Sequence, residues 1–176
     1  MSDGASSIVN RATALREAFD RGFAEAYPPD PPVAEDLLAI RVGAAPYVLR
    51  LAEIAGLFAD RKITPLPGNI PTLRGIAGFR GTILPVYDLH ALLGHPPVET
   101  LRWLVTAKDG LVAFGFGALD GHLRLPRTDI VPRTVGQDQQ QHIYEYARTD
   151  DAVCPVVHLG SVLDEIRKQL PARAVR

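Results

Sequence analysis

Gly78-Phe79-Arg80-Gly81-Thr82-Ile83-Leu84-Pro85-Val86-Tyr87-Asp88-Leu89-His90-Ala91-Leu92-Leu93-Gly94 is the stretch that decides the fold. An apolar run rich in β-branched residues begins at a glycine and passes through a proline. It ends at an aspartate, and a short helical pattern follows. Proline has no amide donor, so Pro85 fits an edge or the exit of a strand rather than a central ladder. Asp88 is placed to cap the turn Leu89–Leu93, and Gly94 to end it. The reading is a strand that runs directly into a helix.

The pattern recurs. Ile83 to Leu93 aligns with Val153-Cys154-Pro155-Val156-Val157-His158-Leu159-Gly160-Ser161-Val162-Leu163, 70 residues on (153 − 83). Both copies read apolar, any, Pro, Val, any, any, Leu, any, any, apolar, Leu. This predicts two similar β subdomains. Asp88 aligns with His158, so the shared architecture does not require a carboxylate there; that favours capping over catalysis.

Working outward, Leu37–Val42 and Tyr47–Leu51 flank Gly43-Ala44-Ala45-Pro46 and read as a hairpin. Leu101–Thr106 and Leu111–Phe116 flank Lys108-Asp109-Gly110. There Asp-Gly is expected to supply the positive backbone angles of a tight turn. His122–Leu125 reads as a short strand stopped by Pro126. Many short strands at regular spacing predict barrels or a sandwich, with a long helix only at the C-terminus. Ahead of them, Ile8, Ala12, Leu15, Phe19, Phe23 and Ala26 recur at helical spacing, with Ser6 or Ser7 as cap. Pro28-Pro29-Asp30-Pro31-Pro32 then predicts a stiff spacer. The expected organisation is an arm and linker over 1–32 and a main domain over 33–176.

The totals exclude several classes. The chain has 176 residues, of which 47% are hydrophobic, and a net charge of −1. That is a core-forming composition with no electrostatic bias toward nucleic acid or anionic membranes. Aromatics at 7% give little for base stacking. One cysteine, Cys154, cannot form an internal disulfide and fits a reducing compartment. The N-terminus lacks the basic start and apolar core of a signal peptide, and no apolar run reaches a membrane-spanning length. The expectation is a soluble cytoplasmic protein.

No catalytic constellation assembles. His90, His95, His122, His142 and His158 show no two-ligand helix spacing, and there is no Cys-x-x-Cys. The expectation is therefore no metal and no cofactor. Cys154 with His158 is a conceivable nucleophile and base, but Cys154 aligns with Leu84 in an apolar run and reads as a small buried hydrophobe. Gly75, Gly78 and Gly81 recur every third residue and read as turns and close backbone approaches. Gly136-Gln137-Asp138-Gln139-Gln140-Gln141 is a polar loop. Glu53, Asp60 and Arg74 read as charges on a solvated face. Arg80 is the exception, because arginine at a turn between strands stacks and makes forked ion pairs, as interface anchors do.

At Arg80 the residues resemble a known family, the CheW-like adaptor domain of bacterial chemotaxis. Its hallmark, Gly-x-x-Asn-Leu-Arg-Gly leading into x-Ile-x-Pro-Val-x-Asp-Leu, is met by Gly75-Ile76-Ala77-Gly78-Phe79-Arg80-Gly81 and Thr82 to Leu89. Leu51-Ala52-Glu53-Ile54 is similar to its Glu-Ile step, and Ile63-Thr64-Pro65-Leu66-Pro67 with Pro71 to its proline-rich approach. Gly121 to Pro126 is similar to the strand that enters its second subdomain. The resemblance implies two SH3-like five-stranded β-barrels. It implies a non-enzymatic scaffold that couples methyl-accepting chemoreceptors to the regulatory domain of a CheA-type histidine autokinase. Another CheW-like protein is a further implied partner. Carried over position by position, it implies partner contacts at Glu53, Arg80 and Gly81, with Phe79 beside them, and structural roles for Gly75, Pro85, Asp88 and Gly94. The family's Asn-Leu is Gly78-Phe79 here. With the N-terminal arm, that departure admits a second reading, a specialised adaptor that competes for kinase or serves a pathway other than motility. A small Cys/His hydrolase is the distant third.

Overall fold

The computed structural model describes residues 33–68, 70–134, 140–149 and 152–169. The expected arm helix, the proline spacer and most of the polar 136–141 loop lie outside the described residues. Within them the chain forms strands β1 (Ala34–Val42), β2 (Ala45–Arg50), β3 (Ile54–Ala59), β4 (Leu73–Phe79) and β5 (Thr82–Asp88). A one-turn helix α1 (Leu89–Leu92) follows, then β6 (Trp103–Ala107), β7 (Ala113–Phe116), β8 (Ala118–Pro126), β9 (Ile130–Pro132), β10 (Ile143–Arg148) and β11 (Val153–Val157). Helix α2 (Leu159–Gln169) comes last.

The strands form two sheets, in the orders β3-β6-β7-β5-β4 and β8-β1-β2-β11-β10-β9. The orders correspond strand for strand. β5 pairs parallel with β7 and antiparallel with β4; β11 pairs parallel with β2 and antiparallel with β10. The fold is mostly β with two SH3-like subdomains, as expected. The expected five strands hold for one sheet, whereas the other has six. The sixth, β9, has only a single-bridge counterpart, Thr64 against Ile76 beyond β4. The subdomains are not sequence halves. β3–β7 complete one sheet in order, while β8–β11 borrow β1 and β2 from the start of the chain.

This topology explains why the strands read as near-continuous apolar runs. Successive side chains point to opposite faces of a strand, and the inner strands β2, β5, β6, β7 and β11 bury residues on both. One face fills a subdomain's own core, made of Ala77, Phe79, Leu84, Val86, Leu104 and Ala113 in one and Leu37, Val48, Ile130, Ala147, Cys154 and Val156 in the other. The opposite face fills a shared core that holds Leu38, Ile40, Leu49, Tyr87, Val105, Phe114, Phe116 and Val157, closed by Leu89, Leu159, Val162 and Ile166 of the two helices. The repeat is obeyed position by position. Leu84 and Cys154, then Val86 and Val156, enter their separate cores; Tyr87 and Val157, then Leu89 and Leu159, enter the common one. Ile83 and Val153, which open the two copies, are both exposed.

Pro85 and Pro155 lie mid-strand rather than at an exit. Each pairs on one side only, with Ile76 and Tyr146, because the parallel ladder on the other side starts one residue later at Val86 and Val156. The missing amide therefore breaks no interior ladder.

The hairpins form where expected, with one difference in the turn. Gly43 at φ 65° opens a two-residue β1–β2 turn. In the β6–β7 turn neither Asp109 nor Gly110 has positive φ; the loop is wider, closed by Ala107 N–H donating to the Val112 carbonyl at 3.1 Å. Gly110 is small there for another reason, since a Cβ would lie 3.0 Å from Leu163 on α2. The strand expected at His122–Leu125 extends over all of β8, because a bulge at Gly121 (φ 148°) keeps it paired along β1. Among the described residues no helix is long and apolar enough to cross a membrane.

Candidate partner interface

Phe79 pairs with Thr82, so β4 and β5 are joined by the two residues Arg80 and Gly81 alone. Both have positive φ, 46° and 87°. That is the signature of the type I′ turn, whose twist matches the flanking strands and whose first position prefers Asn, Asp or Gly. An arginine there sits in the left-handed region at a cost of about 1–2 kcal/mol. Its side chain is exposed, so packing does not repay that strain.

The guanidinium lies 5.8 Å from the centre of the Phe58 ring, and Arg61 lies 5.3 Å from the same ring. Phe58 meets Phe79 edge-on, with centroids 5.0 Å apart. Among the described residues neither Arg61 nor Arg80 has a carboxylate within 4.0 Å. Phe79 lies beneath this surface rather than on it. It is 4% exposed and belongs to the core; its work is to hold the Phe58 ring on which both cations rest. Gly78 is exposed, has ordinary φ, and a Cβ there meets nothing within 4 Å. The family's asparagine fits that place, and its absence leaves the strand surface bare beside Arg80.

Glu53 is placed elsewhere. Phe58 lies five residues farther along the chain, roughly 16 Å in an extended strand, so the fold does not bring Glu53 and Arg80 together. Nor does Glu53 sit free on a solvated face. Its Oε2 accepts the Leu159 N–H at 2.8 Å, the first amide of α2, and its carbonyl accepts the Lys108 N–H at 2.9 Å. It clamps the β2–β3 connection to both subdomains. Arg74 also departs from the solvated-face expectation. It donates to Asp88 Oδ2 at 3.2 Å and to the carbonyls of Val98 and Glu99 at 2.7 and 2.8 Å. Asp60 is exposed and pairs with Arg102 at 3.6 Å.

The motif's remaining residues shape the backbone. Asp88 is fully buried and caps α1, its Oδ1 accepting the His90 N–H at 2.8 Å and Nδ1–H at 3.1 Å. His158 does the same at the aligned position, where its Nδ1 accepts the Ser161 N–H at 3.0 Å. Gly94, at φ 78°, follows the end of α1. Gly75, at φ 142°, is pressed against the Thr64 carbonyl.

The other histidines have local duties. His95 bonds the Tyr47 hydroxyl at 2.7 Å, and His122 faces Asp36 at 3.0 Å. Among the described residues no group of three or more His, Cys, Asp or Glu could hold a metal ion. Cys154 is buried, and burial pushes its thiol up, away from the thiolate a nucleophile needs. Burial thus disfavours the nucleophile that the hydrolase reading needs.

His142 is a different case. It is buried, and its Nδ1–H donates to Ser161 Oγ at 3.0 Å, because that hydroxyl already donates to the His158 carbonyl. Among the described residues Nε2 is buried without a partner. Burial lowers the affinity of this ring for a proton, against Glu165, which raises it; His158 and Lys168 lower it further. The unfolded chain binds that proton near pH 6.5 and the folded chain only below that. Stability is therefore full above 6.5 and falls as pH drops below it. His142→Asn, which tolerates the residue's φ of 66°, is expected to flatten that acid-side loss in melting temperatures measured across the same pH range.

The comparisons with known proteins bear on this arrangement. A family model described as the CheW-like domain matches residues 36–167, three quarters of the chain. The chain belongs to the CheW-like domain family. Among its relatives is the chemotaxis protein CheW of Bacillus subtilis (strain 168), 21% identical over 141 residues, which cover 77% of this chain and 90% of that protein. Among solved structures, the scaffolding protein TtCheW of Thermoanaerobacter tengcongensis superposes with a TM-score of 0.64 at 18% identity, covering 71% of this chain and 89% of that one. At that identity the superposition speaks for the CheW-like fold alone. The turn at Arg80, the cap at Asp88 and the pinned Gly75 are thus the local geometry of a CheW-like domain as this chain builds it.

Phe58 and Arg61 escaped the sequence reading. Alternation along β3 turns Ile54, Gly56 and Phe58 inward, which is legible in retrospect. That Arg61 returns over the same ring follows from the bend at Asp60 (φ 52°), which the sequence reading did not place.

Proposed function

We propose that this protein is a non-enzymatic adaptor that couples chemoreceptors to a CheA-type histidine autokinase, and that the Arg80 turn contacts the kinase's regulatory domain. The reading places it in the cytoplasm at the receptor tips, without membrane insertion. The observation that carries it is Arg80, a charged residue in a strained conformation whose side chain, among the described residues, satisfies no carboxylate. Strain kept at an exposed turn points to function rather than to packing. Calorimetric titration of the whole protein with the regulatory domain of each autokinase in its genome tests this. Arg80→Ala is expected to weaken binding to the cognate domain at least tenfold with the fold intact. Unchanged affinity, or unfolding of the variant, counts against the proposal.

The second reading, a specialised adaptor that competes for kinase or serves a non-motility pathway, is favoured by the bare Gly78 and the core Phe79 where the family has Asn-Leu. It predicts that the protein lowers receptor-stimulated kinase phosphorylation in the presence of the main scaffold, where a coupling adaptor sustains it.

A further inference from the structure

We infer that Arg61 and Arg80 form a two-armed clamp for a carboxylate, and that the partner segment carries an Asp or Glu beside an apolar side chain. The inference rests on the adaptor reading above and specifies its contact. Both guanidiniums lie within 6 Å of the centre of one phenyl ring, whose electron-rich face attracts each of them. The arrangement is completed by an anion between or across the two arms, and guanidinium–carboxylate pairs are forked and directional. No carboxylate of the described residues fills the place. Asp60, adjacent to Arg61 in sequence, is turned toward Arg102 at 3.6 Å.

The apolar half of the specificity lies next to it. Arg61 lines a surface cavity of about 540 Å³ whose wall is mixed, with the polar Arg74, Glu99 and Thr100 beside the apolar Ile63, Leu66, Leu73 and Leu101. Leu66 is 45% exposed there and offers an apolar contact. A segment with its carboxylate on the two arginines is positioned to lay a neighbouring aliphatic or aromatic side chain into this cavity. Arginine is among the residues enriched at interface hot spots.

The test uses the full chain and the kinase regulatory domain that binds it, by titration calorimetry at low and at physiological ionic strength. Arg61→Ala is expected to raise Kd about tenfold and to make the remaining affinity less sensitive to salt. Arg61→Lys is expected to recover less than half of the loss, because an ammonium cannot form the fork. Leu66→Asp is expected to weaken binding as well. Arg61 and Leu66 are exposed, so thermal unfolding of each variant should match that of the parent. If Arg80→Ala weakens binding and Arg61→Ala does not, the clamp is wrong and the adaptor contact stands. If neither changes Kd, the contact itself is overturned along with the clamp.

Discussion

Gly75→Ala is expected to destabilise the protein by about 3–5 kcal/mol, a large part of the stability of a domain this size. A Cβ at Gly75 would stand 2.1 Å from the Thr64 carbonyl oxygen and 2.9 Å from the Pro65 Cα. Both are backbone atoms, so no side chain can rotate away. The neighbouring residues are pinned as well, since Thr64 and Ile76 exchange backbone hydrogen bonds at 2.8 and 2.9 Å. Relief requires that bridge to break, and φ at 142° remains unfavourable for any residue with a Cβ. Gly78→Ala is the matched control three residues along the same strand. Nothing lies within 4 Å of its Cβ position, so its effect should stay within about 0.5 kcal/mol. Urea unfolding of the two variants measures both, with an unchanged slope showing that the midpoint shift reports stability.

Asp88→Ala has the second largest expected effect, a loss of about 3–5 kcal/mol. The carboxylate is fully buried and serves three donors, namely the His90 amide, the His90 ring and Arg74. Removing it orphans a buried ring nitrogen and a guanidinium arm that also holds the Val98–Glu99 segment in place. Asp88→Asn keeps an oxygen for the amide but sets a second donor against Arg74 or the ring, and its loss should be smaller yet clear. If the alanine variant unfolds at the parent's denaturant concentration, Asp88 is not the keystone of this junction.

Much of the fold was legible because its determinants are local. The Pro-Val-x-x-Leu repeat specifies strand, cap and helix within eleven residues, and each copy folds as written. The exchange of strands between subdomains was not legible. β1 and β2 join β8 and β11 through backbone ladders, and backbone groups do not name their partners. The Asp109-Gly110 turn misled because glycine has two uses, and here it makes room for Leu163 rather than adopting positive φ. At the candidate site Arg80 could be found from its place between two strands. Phe79, by contrast, needed the sheet to show which face it takes, and Glu53 and Arg74 needed contacts 106 and 14 residues away. Arg61 needed the bend at Asp60, which only the folded backbone shows.

The central claim is that Arg80 is kept for a partner at the expense of the turn. Arg80→Asn tests it most directly, with unfolding free energy and kinase-domain affinity measured on the same preparation. Asparagine is at home in the first position of a type I′ turn. The account predicts a gain in stability of about 0.5–1 kcal/mol together with at least a tenfold loss of affinity. A variant that binds like the parent, or one that loses stability and affinity together, contradicts it.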